Sequence, residues 1–230
     1  MPLFQFKQFT IHQEHCAQKV SEVACIQGAW TTLPISCKRV LDIGSGTGLL
    51  TLMLAQRFDV EIDAIEIDGA TFKQGKDNIG ASPFKDRIHP LHGDLKSFDF
   101  KNHYDFIITN PPFFEKQLKA ETEKENIARH SSQLTLHELI GTIHDLLTDA
   151  GTFSILFPFD RMKELEKISE LYHLYPSNHL ILKHSVSHLP KVFIGIFSRT
   201  KKKIISDEML IKENGIYTKE MKELIADYYL

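Results

Sequence analysis

Val40-Leu41-Asp42-Ile43-Gly44-Ser45-Gly46-Thr47-Gly48-Leu49 decides the fold of this chain. Residues 39–43 form a short β-rich run, and from Gly48 to Arg57 apolar residues recur at helical spacing (Leu49, Leu52, Met53). A strand that passes into a helix through three glycines lets the backbone lie close to a ligand. Glycine lacks the Cβ that would block the approach, and it tolerates unusual dihedrals. The spacing is G-x-G-x-G; the dinucleotide fingerprint G-x-G-x-x-G would need glycine where this chain has Leu49. Taken alone, the triplet is equally a tight strand-to-helix turn.

Working outward, strand and helix patterns alternate. Residues 61–67 read as strand, 69–79 as helix, 88–91 as strand and 104–109 as strand. An amphipathic helix is expected at 134–148, where Leu136, Leu139, Ile140, Ile143, Leu146 and Leu147 share one face. Asp149-Ala150-Gly151 stops it before a buried strand at 152–157, and a charged helix follows at 161–172. Two strands, 179–186 and 191–198, are joined by Ser187-His188-Leu189-Pro190, which reads as a hairpin. Strand–helix repetition implies a parallel α/β sheet covered on both faces, because parallel strands need long crossovers. The hairpin adds an antiparallel strand near one edge. Residues 115–132, rich in Lys, Glu and Gln, show no core face and are expected as a mobile loop over the site or a solvated connection.

Polar groups recur at the expected strand ends. Glu66 lies 18 residues beyond Gly48, where an acid can accept hydrogen bonds from both ribose hydroxyls of a nucleotide-type ligand, with Asp68 as competitor. Asp94, past the third strand, can accept from the exocyclic amine of an adenine. Asp42, Gly44, Ser45, Gly46, Gly48, Ile67, Leu95 and Asn110 complete the expected cofactor set. At the tip of the fourth strand stands Asn110-Pro111-Pro112-Phe113. Asn110 offers a side-chain carbonyl and Pro111 a main-chain carbonyl, two acceptors for the two hydrogens of an –NH2 group. Proline fixes φ, so the acceptors are in place before a substrate arrives. Phe113 can stack on a base, which is worth roughly 1–3 kcal/mol. Cradle and clamp together point to methyl transfer from S-adenosylmethionine onto nitrogen.

At 230 residues, with 42% hydrophobic and 25% charged residues, the chain suits one domain with a sizeable core. We divide it into an N-terminal extension near the site (1–38), a core (39–200) and a C-terminal tail (201–230). Its beginning lacks the apolar region of a signal peptide, no stretch is long and apolar enough for a membrane helix, and a cytoplasmic location is expected. Cys16, Cys25 and Cys37 form no C-x-x-C pair, which argues against disulfide frameworks and metal centres. The net charge is −3, yet Lys183, Lys191, Arg199, Lys201, Lys202 and Lys203 fall in a stretch, 171–206, without a single acid. Such a stretch can attract phosphate, or be a solvated face.

The two motifs resemble the class I S-adenosylmethionine-dependent methyltransferases with an Asn-Pro-Pro-aromatic motif. That resemblance implies a Rossmann-like sheet, mostly parallel, with helices on both faces and a C-terminal antiparallel hairpin strand. Phe6-Lys7-Gln8-Phe9-Thr10-Ile11, Lys19-Val20, Gly28-Ala29-Trp30, Arg129-His130 and the ending Asp227-Tyr228-Tyr229-Leu230 are similar to one bacterial group. Its members are tRNA adenine-N6 methyltransferases acting on adenosine 37 of a valine tRNA. The resemblance implies that the N-terminal segment lies near the active site, where Phe4, Phe6 and Phe9 line the pocket or, as such spacing more often gives, are simply core. Lys7 and Lys19 then meet phosphate or are merely solvated, Arg129 and His130 contact RNA or close the loop, and for an RNA substrate the basic segment with Lys183, Lys191, Lys201, Lys202 and Lys203 would track the backbone. The chain departs from the group at Glu22-Val23-Ala24, where Thr-Asp-Gly is usual, at Gln18 in place of Met, and at Phe113 in place of Tyr. A protein glutamine N5-methyltransferase is the competing enzyme reading, since the clamp also fits a carboxamide. DNA adenine methylation, an inactive cofactor-binding RNA scaffold and a nicotinamide oxidoreductase fit the motifs less well.

Overall fold

A computed structural model describes residues 2–16, 19–111 and 134–230. Strands β1 (Leu3–Gln5) and β2 (Thr10–His12) pair as a hairpin ahead of helix α1 (Glu22–Trp30). Alternation follows through β3 (Arg39–Ile43), α2 (Leu49–Arg57), β4 (Glu61–Glu66), α3 (Gly69–Gly80), β5 (Ile88–His92) and β6 (Tyr104–Thr109). It continues through α4 (Leu136–Leu146), β7 (Leu147–Pro158), α5 (Met162–Leu171), β8 (Tyr175–Lys183), β9 (Val192–Ser198) and β10 (Ile205–Leu210). The small pair β11 (Lys212–Glu213) and β12 (Ile216–Tyr217) precedes α6 (Lys219–Leu224).

Eight strands form one sheet in the order β10-β8-β9-β7-β6-β3-β4-β5. β5, β4, β3, β6 and β7 run parallel, and β9 inserts antiparallel between β7 and β8. The expected doubly wound sheet with its antiparallel hairpin strand is therefore present. Alternate residues of each strand serve opposite cores, as the period of two requires. Val40, Phe106 and Ile108 pack with α1, α2 and the N-terminal hairpin. Leu41, Ile107, Phe153 and Ile155 pack with α4 and α5.

Three boundaries differ from expectation for identifiable reasons. Helix α4 starts at Leu136 because Thr135 and Glu138 form a capping box, Thr135 N donating to Glu138 at 2.7 Å and Glu138 N to Thr135 Oγ1 at 3.1 Å. Leu147, placed on the helix face from its spacing, is buried as the first residue of β7. β8 begins at Tyr175, ahead of the expected 179, and takes in Pro176. β10 pairs with β8 only from Asn178 onward, so the proline sits where β8 has no neighbour on that side, beside a register shift. The stretch 201–230, expected as a tail, supplies the edge strand β10 and helix α6, whose Met221 is fully buried. β10 carries exposed Asp207 and Glu208, charges that suit a strand with one free edge.

Candidate active site

The loop after β3 is built on left-handed glycines, with φ of 69° at Gly44, 58° at Gly46 and 83° at Gly48. Gly44 N and Ser45 N both donate to Ile65 O, at 2.9 and 3.0 Å, which ties the tip of β3 to β4. Gly48 N closes the turn onto Ser45 O at 2.8 Å. Helix α3 backs the loop from outside. A Cβ on Gly75 would lie 2.5 Å from Gly46 O, so the helix backbone and the loop touch directly. Asn78 Nδ2 donates to Thr47 O at 3.0 Å and to His12 O at 2.9 Å, and His12 N returns to Asn78 Oδ1. The N-terminal segment is thereby anchored beside the loop.

Glu66, at the end of β4, accepts Gly46 N on one oxygen at 3.0 Å and Asp68 N on the other at 2.9 Å. Each oxygen keeps a lone-pair direction for a hydroxyl donor. Asp68 is committed elsewhere: it caps α3 by accepting Thr71 N at 2.8 Å, and this hydrogen bond holds its carboxyl below the usual range. Beside Glu66, Ile67 is 59% exposed, while Leu95 packs into the core beneath α4. Asp94 turns the chain by accepting Lys96 N on Oδ1 at 3.0 Å, which leaves Oδ2 without a partner among the described residues.

Asp42 is wholly buried on the α2 side of β3. Its Oδ2 accepts Thr51 Oγ1 at 2.6 Å and Thr51 N at 3.1 Å, and its Oδ1 has no partner among the described residues. Burial pushes its pKa up to about 7, against the lowering by Thr51's hydrogen bonds, with the charge of Glu66 adding to the rise.

Register places the clamp next to this loop. Thr109 lies opposite Ile43, so Asn110 follows at the level of Gly44, and Thr109 Oγ1 donates to Ile43 O at 3.0 Å. Pro111 is buried, and Asn110 Oδ1 is a buried acceptor with no hydrogen bond to any described residue. Behind this tip, the fully buried Gln27 of α1 donates through Nε2 to Thr109 O at 3.0 Å and to Ser154 Oγ at 3.3 Å; Ser154 Oγ also meets Thr31 Oγ1 at 3.1 Å. Pro112, Phe113, Arg129, His130 and the expected loop at 115–132 lie outside the described residues.

The other expected contacts scatter. Phe6 and Phe9 are core residues, stacked at 4.6 Å, and partly buried Phe4 packs against the same cluster. Lys7 Nζ donates to Ala226 O at 2.6 Å, joining the two ends of the chain, and Lys19 is exposed. The basic stretch does not act as one run. Lys183 ends β8, pairs with Glu208 at 2.6 Å, and shares the cradle's edge of the sheet with exposed Lys191. Lys201, Lys202 and Lys203 follow β9 at the opposite edge, with Lys201 3.1 Å from Glu170. An open groove of about 600 Å³, lined by His103, His144, Asp145, Thr148 and Arg199 among others, lies at that far edge, away from the strand tips. Gly75, Asn78 and Gln27 escape a reading of the sequence. A glycine in the middle of a helix signals the first, and nothing local signals the others.

Among the described residues, no three His, Cys, Asp or Glu side chains converge as a metal site, and no helix is long and apolar enough to cross a membrane. A glycine loop backed so closely by α3 that a Cβ on Gly75 would press on Gly46 O, with acceptor capacity left at Glu66 and Asp94, fits a nucleoside bearing a short polar chain.

Comparison with known proteins agrees with this geometry. Residues 30–155 match the methyltransferase small domain. A tRNA1(Val) (adenine(37)-N6)-methyltransferase of Bacteroides thetaiotaomicron is 38% identical over 100% of this chain and 98% of its own. Another of that name, from Dyadobacter fermentans, is 49% identical over 68% of this chain and 65% of its own. Among solved structures, a predicted O-methyltransferase from Agrobacterium tumefaciens superposes with a TM-score of 0.65 at 14% identity, over 89% of this chain and 95% of that one. That likeness is one of fold. Cradle, clamp and full-length similarity together place the chain in the tRNA1(Val) (adenine(37)-N6)-methyltransferase family, built on the methyltransferase small domain.

Proposed function

We propose that the chain methylates N6 of adenosine 37 in tRNA1(Val) with S-adenosylmethionine as donor. The observation that carries this reading is Asn110 Oδ1, a buried carbonyl oxygen without a partner among the described residues, one strand from the glycine loop. Leaving such an acceptor unpaired costs about 1–3 kcal/mol. An –NH2 donor arriving beside the cradle relieves that cost. S-adenosylmethionine supplies an electrophilic methyl group carried on a sulfonium.

The protein's own part is to hold and orient. The loop from Gly44 to Gly48 receives the cofactor's polar chain, Glu66 accepts from the ribose hydroxyls, and Asp94 Oδ2 accepts from the adenine amine. Exposed Ile67 offers an apolar surface to the ring. Asn110 and Pro111 then accept the two hydrogens of the substrate amine. An aromatic amine is a poor nucleophile because its lone pair is delocalised into the ring. Two acceptors placed to favour a pyramidal nitrogen turn that lone pair out of the purine plane, so positioning does most of the work. A base in an anticodon loop is already unpaired, which lowers the cost of bringing it into such a site. A tRNA substrate also assigns the chain to the cytoplasm.

The deciding experiment offers unmodified tRNA1(Val) transcript, and the same transcript with guanosine at position 37, to the enzyme with labelled donor. Nuclease digestion and mass spectrometry should find N6-methyladenosine in the first alone. Methyl incorporated into a release-factor-like protein at glutamine, with none in tRNA, would overturn the reading.

A further inference from the structure

We propose that Gln27 is a positioning residue for the Asn110 clamp, an assignment that rests on the amine-methylating reading above. Gln27 stands on α1 and is fully buried between that helix, the tip of β6 and the interior of β7. Its Nε2 donates to Thr109 O at 3.0 Å. That oxygen belongs to the peptide unit whose nitrogen is Asn110's own. Because the unit is planar and rigid, a donor fixed on the carbonyl fixes the plane from which Asn110 springs. Thr109 is the last residue of β6, so beyond it no strand pairing holds the backbone in register. Thr109 Oγ1 fastens the same residue to Ile43 O from the other side. The clamp therefore hangs from a peptide held by one strand and one helix.

The chemistry of the surroundings argues that this contact is functional. Around Gln27, α1 is apolar: Ala24, Cys25, Ile26 and Ala29 are all buried. An apolar residue of similar length would satisfy the packing. Gln27 instead leaves its Oε1 buried and unpartnered among the described residues, while its other amide atom reaches the strand tip. Ser154 Oγ does not depend on it, since Thr31 Oγ1 is 3.1 Å away. Among the described residues, the one backbone group that Gln27's side chain meets is the carbonyl one peptide before the clamp.

The test compares Gln27→Met and Gln27→Glu with the parent enzyme on tRNA1(Val) transcript. Gln27→Met removes one unpaired acceptor and strands another, so its melting temperature should stay within a few degrees of the parent. Its affinity for S-adenosylhomocysteine should stay within about twofold. Its kcat should fall by about 10- to 100-fold, since a displacement of about 1 Å at a reacting centre costs on that order. Gln27→Glu can donate to Thr109 O only as the protonated acid, so its kcat, relative to the parent's at each pH, should recover as pH falls. Gln27→Met should show no such recovery. Parent-like kcat in Gln27→Met, or a pH profile of Gln27→Glu parallel to the parent's, overturns the assignment. An inactive parent overturns the amine-methylating reading instead, so the two failures are distinguishable.

Discussion

Gly75→Ala separates what helix propensity says from what this site requires. Gly75 lies in the interior of α3, where alanine is intrinsically better by about 1 kcal/mol, so propensity alone predicts a stabilised protein. The structure predicts the reverse. The new Cβ would lie 2.5 Å from Gly46 O and 3.5 Å from the Thr47 carbonyl carbon. Ordinary contact begins at 3.4 Å, so helix and loop must separate by 0.9 Å (3.4 − 2.5). The contacted atom is backbone, with no flexible end to swing aside. Its residue is held at φ 58° with its N–H on Glu66, so moving the carbonyl also disturbs that carboxylate. Overpacking of this kind costs about 1–3 kcal/mol, which outweighs the propensity gain in most of that range. For a domain of this size the net change lowers the melting temperature by a few degrees, at about 2–4 °C per kcal/mol. Titration calorimetry with S-adenosylhomocysteine should show at least a tenfold loss of affinity, about 1.4 kcal/mol. Gly80→Ala is the control: nothing lies within 4 Å of its Cβ, so binding should be unchanged and stability equal or higher. Parent-like binding in Gly75→Ala together with a raised melting temperature would refute the claim that α3 shapes the cradle.

Asp42→Asn should change sign with pH. The carboxyl titrates at about 7 when folded and 3.8 when exposed, so folding retains a proton between those values and loses stability as pH rises through that window. Above pH 7 the accumulated cost is on the order of 4 kcal/mol, whereas the amide's unpaired NH2 costs about 1–3 kcal/mol at every pH. Thermal melts should therefore rank Asp42→Asn below the parent near pH 4.5 and above it near pH 8; a difference independent of pH would contradict the buried, elevated carboxyl. Asn110→Ala should retain affinity for S-adenosylhomocysteine while losing most turnover, and calorimetry beside a transfer assay reads both; equal turnover removes Asn110 from the mechanism. Among the lysines, Lys191→Glu should weaken tRNA binding and flatten its salt dependence by about one unit of slope. Reversing Lys201, Lys202 and Lys203, separated from the cradle edge by the seven residues of β9 or roughly 20 Å, should change the slope by less per charge, and equality between the two would reject the two-edge arrangement.

Much of the core was legible because each signal is local. Gly44, Gly46 and Gly48 announce left-handed backbone, since other residues are strained there. The apolar face of α4 has the period of a helix, and Asn110-Pro111 marks a strand that must end. What escaped is what depends on partners distant in sequence. β10 is polar at Ser206, Asp207 and Glu208, and becomes a strand only because β8 offers a free edge. Phe4, Phe6 and Phe9 read in one dimension as pocket lining or as core; Tyr229 packs over Phe4 and Phe6 at centroid distances of 5.5 and 5.9 Å, and Phe6 and Phe9 are buried. The five lysines of 183–203 form one run in sequence, but β9 carries three of them to the far edge of the sheet. Gln27 makes its contacts 82 and 127 residues away, a separation at which no spacing rule operates.

The distribution of unmet hydrogen-bonding capacity gives these observations a common cause. Eight buried side-chain atoms lack a partner among the described residues, and three of them, Asp42 Oδ1, Asn110 Oδ1 and Gln27 Oε1, belong to β3, to the residue after β6 and to the helix behind that tip. At about 1–3 kcal/mol each, the three together weigh roughly 3–9 kcal/mol against a typical total stability of about 5–15 kcal/mol. A sequence selected for stability alone would fill these positions with apolar groups, as it does one or two residues away at Leu41, Ile43, Ile26 and Ile108. At Asn110 a polar atom is sensible if a ligand completes it, and at Gln27 the unpaired Oε1 accompanies the Nε2 that holds Thr109 O. Asn110 Oδ1 is an acceptor, and the amine proposed as substrate brings two donor hydrogens.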